Sequence, residues 1–599
     1  MRFNRYYWVC SLIIFYAINL QGQLKSQADS NIHVPWIVVK GSASISSDFY
    51  DYTANPSLSQ IGRRPSALYR LIFAPTITIA GVLVLPLRVN ITYPETNTTT
   101  PSISAPTIME YFTNPANALG LSGFSPKIGW AQFHLGSHTP KLSDLSGGDL
   151  QLFGLGIDIK PGNLHIKASH GISQRAVEPD LMRGGKGAYR RDMSMGRIAY
   201  GNPDSISLGL NFVHAKDDVK SLKNSTISII PAHPLSDDSS IVIPADTLRL
   251  RAEEGFIASI DTKLLFTDGV ILSAEGAISA FTADRSSALI EEGNNPLRGF
   301  YPTTSSTRFD GAGSANLSFH FTSWTLAFSA LYMGSGFQPI GNPFVQSDRL
   351  DLKVSPSFNL FEGDFTINGT IGKRINNLSE TKGEQLNQMI ANGQLSIRFS
   401  DIISLACTYS NFGIRNNRQN VFDSARIQNV SESFSIDPMF TFTAFDMMHT
   451  ITTSFGMDRF DDFNIVSGLE SSNDTRSAIA SYTGIFNNIP LTIGANGSYL
   501  ENSLFAGTLQ VMTIGINASY RLFEGSLNPS VAITKTSSGF VINPADEALF
   551  MKVGVRGKIN KNFSITSNYA INDYHYGSGS SRGNSFSEQI IQIAMALTF

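Results

Sequence analysis

Two histidines four residues apart, His134 and His138, are the nearest this chain comes to a zinc-ligand pair. On a helix that spacing would put both imidazoles on one face. Here the two fall instead at the end of an expected strand over 127–136. Four strand residues span roughly 13 Å, and no glutamate follows His134 as a general base, so the pair is expected to be unrelated. Asp458, Asp461 and Asp462 carry enough charge for calcium but lack the regular spacing of a dedicated loop. The letters of a Gly-x-Ser-x-Gly elbow at Gly579 to Gly583 fall in a Gly/Ser-rich loop without a strand-to-helix turn. His320 stands in a polar row with Ser318 and Asn316, where a hydrogen-bonded histidine is the simpler reading. No phosphate loop or dinucleotide-binding glycine set has the right context, so neither catalysis nor a cofactor is expected.

The cations are more informative. Arg175, Arg183, Lys186, Arg190 and Arg191 crowd one segment, 173–192. They could line a constriction that favours anions, or lie on a solvated loop. Arg398, Arg521, Lys552, Arg556 and Lys558 recur on the polar face of alternating segments. A ring of such charges would bias a pore toward anions, whereas pairing with nearby acids would make them structural.

Those segments have a strict period of two. Met512, Ile514, Ile516, Ala518 and Tyr520 share one face, and Thr513, Gly515, Asn517, Ser519 and Arg521 the other. The same pattern holds for Leu549, Met551, Val553 and Val555 against Lys552, Gly554 and Arg556. A sandwich would also alternate, but three features favour strands with lipid on one side and water on the other. Phenylalanines recur just before short turns, at Phe266, Phe321, Phe361, Phe399, Phe445, Phe486 and Phe523, as an aromatic girdle requires. The opposite connections are long and polar, such as 216–247, 283–305 and 416–430. Finally, Ile593, Met595, Leu597 and Phe599 close the chain on one apolar face.

The terminal aromatic, the repeated Phe-turn hairpins and the alternation together resemble the large outer-membrane β-barrel proteins of Gram-negative bacteria. The resemblance implies that Phe599, Leu597, Met595 and Ile593 form the signal read by the barrel-insertion machinery. It also implies residence in the cell outer membrane, in contact with its lipid. TonB-dependent receptors carry a globular plug before the barrel, and here strands begin by about Trp36.

The expected fold is all-β, a transmembrane antiparallel up-and-down barrel of roughly 24–26 strands with short periplasmic turns and long external loops. Seventeen or so strands fall in 248–599. Eight more precede them, including one over 127–136, and a short one is possible over 105–113. Segments 97–125 and 173–192 are candidate fillers of so wide a lumen.

Arg2 and Arg5 before an apolar run from Tyr6 make residues 1–22 a secretory signal peptide, with 23–35 a short periplasmic segment and 36–599 the barrel. Cys10 lies in that leader and leaves Cys407 alone, so no internal disulfide staples the exported chain. A net charge of −3 gives no reason to expect nucleic acid. The expected function is a channel or transporter for small hydrophilic solutes. The alternatives are a non-conducting surface, adhesion or assembly barrel and, weakest, an outer-membrane hydrolase.

Overall fold

A strand crossing hydrocarbon must bond every backbone N–H and C=O to a neighbour, so a sheet in lipid is stable only when it has no edge. In a computed structural model of the chain the first strand, Ile37–Ala54, pairs antiparallel with the last, Phe586–Thr598, and closes the sheet. The structure describes residues 36–54, 64–95, 123–147, 150–178, 187–202, 205–222, 227–230, 233–234, 242–243, 246–290, 301–340, 346–380, 385–416, 426–464, 471–541, 545–577 and 585–599. The expected signal peptide, the segment 23–35, the possible strand 105–113 and nearly all of 97–125 lie outside these residues.

The sheet contains 27 strand pieces. Two of them, Gly123–Phe124 and Lys127–Ile128, are halves of one interrupted strand between the same neighbours, which leaves 26. All are antiparallel, each beside its neighbour in sequence. An even count returns the chain to the side on which the barrel began, here the periplasmic end. The expected strand over 127–136 is in fact broken: Gly129 takes a positive φ of 54°, and the chain reverses there into Ala131–His138.

Alternation sets the faces. On Ile206–Asp218, Ile206, Leu208, Leu210 and Phe212 are exposed outward to lipid, while Asn211, Val213, Ala215 and Asp217 are buried inward. The same division holds at Cys407, which faces lipid between Leu395 and Ile436.

At the periplasmic end, three hairpins turn on Phe361-Glu362, Phe445-Asp446 and Phe523-Glu524 with both residues at positive φ. Phe445-Asp446 is a two-residue turn, a type that matches strand twist but normally uses Asn-Gly, and the other two lie in four-residue connections; in each a bulky side chain at positive φ costs about 1–3 kcal/mol. The phenylalanines remain highly exposed, Phe445 at 94%. An aromatic ring gains by lying at the headgroup level, which offsets that strain. Trp36, Trp130 and Trp324 lie at the same end, with Trp324 stacked on Phe321 at 4.3 Å. External connections are long as expected, with two exceptions: Leu527–Phe540 and Asp546–Asn560 are joined by the five residues 541–545, and a second connection is shorter still. Leu491–Leu504 and Gly507–Tyr520 are joined by Phe505 and Ala506 alone.

Phe599 exchanges two backbone bonds with Gly41, at 2.7 and 3.0 Å, and its ring lies 6.3 Å from Phe73. Ile593, Met595 and Leu597 share its outward side. Removing Phe599 takes away the last two bonds of the seam as well as a ring. Deletion of Phe599 should therefore lower assisted insertion into membranes far more than Phe361→Ala does. Equal losses would show that the terminal residue is only one more girdle aromatic.

Candidate lumen and constriction

The inward row of each strand builds the lumen wall, and three sectors of it differ in chemistry. The first is packed. Leu152, Met193, Met195, Val213, Ile257, Ala277, Phe281, Ala312 and Met333 point inward and form one contiguous apolar cluster. Apolar side chains facing a water-filled lumen need a cover, and two external loops fold in to supply it. Leu142 and Leu145 come from the loop after Ala131–His138, and Phe337 and Ile340 from the loop after Trp324–Met333. Phe337 and Leu152 have no exposed surface. Burying side chains of this size contributes about 1.5–3 kcal/mol each.

Polar clamps fix both loops. Glu275 accepts the Ser143 hydroxyl at 2.6 Å and the Leu145 N–H at 3.2 Å. Arg191 donates to both oxygens of Asp217, at 2.7 and 3.0 Å, to Glu253 at 2.7 Å and to the carbonyl of Ile340 at 2.7 Å. Asp310 accepts the N–H of Gly336 at 2.7 Å. Beneath them runs a charge ladder across neighbouring strands. Lys167 lies 3.6 Å from Asp158, and Arg197 bonds Asp261 at 2.5 and 2.8 Å and Asn211 at 2.7 Å. Outside the membrane span, Tyr301 donates to the carbonyl of Glu254 at 2.7 Å, and burial pushes its hydroxyl up to about 12, so it stays a donor.

The histidines expected to be unrelated are in contact. Gly136, with φ at 85°, bends the strand so that the rings of His134 and His138 stack 5.1 Å apart in the lumen. Ser125, Ser169 and the carbonyl of Gly136 occupy three of the four ring nitrogens. Among the described residues no group of three His, Cys, Asp or Glu could hold a metal ion. Asp461 pairs outward with Arg459, whereas Asp458 and Asp462 take the opposite face, so the three aspartates do not form one site. His320 bonds Ser318 at 3.0 Å, and no carboxylate joins them among the described residues. The Gly579 to Gly583 motif lies outside those residues.

The second sector is uncharged. Asn368, Thr370, Asn392, Gln394, Thr408, Ser410 and Ser433 face inward on consecutive strands around a depression of about 380 Å³.

The third sector is basic. Arg521, Lys552, Arg556 and Lys558 face inward and exposed, and among the described residues no carboxylate lies within ion-pair distance of them. Closure adds Arg70, Arg88 and Lys127 to the same arc, since Arg556 connects through Thr566, Ala594 and Ser46 to Arg70. Among the described residues three acids face the same arc: Glu588 accepts the Tyr50 hydroxyl, Asp546 accepts the N–H of Gly577, and Asp48 stands between Leu68 and Gln592, beyond ion-pair distance of these cations. Arg398 differs, since it donates to Asp364 at 2.7 Å.

Among the described cations of 173–192, only Arg191 is a lumen residue held in the packed sector. Arg190 was expected with it, but adjacent strand residues take opposite faces, and Arg190 pairs outward with Asp192 and Asp218. Arg175 is exposed just past Leu164–Gln174, and Arg183 and Lys186 lie outside the described residues. The described ends of this segment continue the hairpin upward through the Val177–Ala188 bridge.

No protein-family model matches the chain, and no curated protein matches its sequence. Solved structures do. OpdK of Pseudomonas aeruginosa, crystallised with vanillate, is 10% identical with a TM-score of 0.29, covering 58% of this chain and 93% of its own. A BenF-like porin from Pseudomonas fluorescens Pf-5 is 10% identical with a TM-score of 0.30, covering 58% and 92%. OccAB2 of Acinetobacter baumannii is 10% identical with a TM-score of 0.28, covering 59% and 93%. The closed sheet, its apolar exterior and its aromatic periplasmic rim make this chain an outer-membrane β-barrel.

Glu275→Ala would leave the Leu145 N–H without its acceptor, at about 1–3 kcal/mol for a buried group left unpaired, and would reduce the Ser143 hydroxyl to its contacts with Ser146 and Ser259. The variant should become sensitive to external protease in 139–151 and pass a larger single-channel current. Wild-type values for both would show that Glu275 does not hold the loop.

Proposed function

We propose that the barrel is a channel for small hydrophilic solutes and that its passage favours anions. The observation that carries this reading is the unpaired inward set Arg521, Lys552, Arg556 and Lys558, on an arc that neither inward loop covers. A structural role for these residues would call for acid partners, which Arg398 has and these four lack among the described residues. Unpaired charges in a pore raise the local concentration of counter-ions, and a solute is held by several weak contacts and released. The inward loops narrow the passage without closing the arc, so the solute is guided along a wall rather than through the centre of an empty cylinder. Delivery to the membrane through the barrel-insertion machinery, with Phe599 as its signal, belongs to the same proposal.

In a planar bilayer under a salt gradient, the wild-type reversal potential should report anion preference. Lys552→Glu with Arg556→Glu should move it toward cations, and Arg398→Glu should move it much less. A bilayer that stays closed at every voltage would rule out conduction. A reversal potential indifferent to Lys552 and Arg556 would rule out the basic arc as the selective element.

A further inference from the structure

We propose that the uncharged wall on strands Phe365–Asn376, Leu386–Arg398, Ile403–Asn416 and Gln428–Ala444 binds the ring hydroxyls of a neutral saccharide. The reading rests on the lumen being reachable by solutes, but binding there needs no contribution from the basic arc.

Amides and hydroxyls alone make up the polar lining. Asn368, Thr370, Asn392, Gln394, Thr408 and Ser410 surround a depression of about 380 Å³, within the usual size of a small-molecule site. Half of these groups are fixed by cross-strand bonds. Ser357 donates to Asn368 Oδ1 at 2.5 Å, Ser355 and Thr370 share a bond of 2.9 Å, and Thr408 and Ser435 one of 2.7 Å. The side chains of Asn392, Gln394 and Ser410 have no hydrogen-bond partner among the described residues. A bonded Asn368 still presents two N–H donors, and each free amide presents both a donor and an acceptor side.

The charge pattern selects among ligands. The nearest lumen acid on these strands, Asp437, is taken by the Ser435 hydroxyl at 2.8 Å, and no cation lines the depression. An anion would find no counter-charge there, and an apolar solute would strip water from amides without replacing it. A sugar ring carries hydroxyls that each donate and accept at fixed angles, which suits rows of amides and hydroxyls held at strand spacing. The site is open, so binding should be on the order of millimolar, weak enough to allow release into the periplasm.

Saturation-transfer NMR on the full-length barrel in detergent tests this without requiring conduction. The probes are maltotriose and an ethylene glycol oligomer of similar mass, with folding checked by heat-modifiable migration. Wild type should transfer saturation to maltotriose and not to the glycol oligomer. Asn368→Ala with Asn392→Ala and Gln394→Ala should weaken binding by about tenfold or more. Gln394→Leu alone, should the triple variant not fold, should weaken it measurably. Lys552→Ala with Arg556→Ala should leave it intact, so loss of anion preference and loss of saccharide binding are read separately. No transfer to maltotriose in wild type, equal transfer to the glycol oligomer, or unchanged binding in the wall variants would overturn the proposal.

Discussion

The structure depends on one seam. The strand Ile37–Ala54 must find Phe586–Thr598 at the far end of the chain, because an open edge in hydrocarbon would leave a row of backbone groups unbonded, each at a cost of several kcal/mol. The two bonds between Gly41 and Phe599 finish that seam at the periplasmic rim. Closure then fixes the rest. Each strand has one face toward lipid and one toward the lumen, so the apolar half of every alternating segment goes outward, and the polar half becomes the wall of a cavity.

A ring of 26 strands encloses more space than its own side chains fill. The chain answers by treating different arcs differently. Where inward residues are Leu, Met, Val, Ile and Phe, external loops bend in to cover them and are clamped by Glu275, Arg191 and Asp310. Where they are Ser, Thr, Asn and Gln, or unpaired Lys and Arg, nothing among the described residues needs to cover them. Packing and passage are thus assigned to opposite arcs of one wall, by the composition of alternate residues.

The barrel, its approximate strand number and the periplasmic turns were legible in the sequence because they rest on local signals, a period of two and aromatics before tight turns. What depends on distant parts of the chain was not. Arg88 could be placed on the polar face of its strand, but only closure puts it on one arc with Lys552. Gly136 gave no sign that its bend would stack His134 on His138. Of the expected lumen fillers, 97–122 and 179–186 lie outside the described residues; the two loops that do fold inward carry Leu142, Leu145, Phe337 and Ile340, and apolar residues in external loops, where water would disfavour them, are the signal that marks such loops in a sequence. Arg190 and Arg191 were grouped by charge, although their adjacency in an extended segment already required opposite faces.

The division of the lumen into a packed arc and an open one is the central claim, and thiol labelling in membranes tests it most directly. Single cysteines at Asn392, Lys552, Leu152 and Phe337 would be treated with a charged, membrane-impermeant reagent. Cys407, which faces lipid, serves as the internal control in the unsubstituted protein. The account predicts rapid labelling at positions 392 and 552, and protection at 152, 337 and Cys407. Labelling at 152 and 337 as fast as at 552, or protection at all four substituted positions, would contradict it.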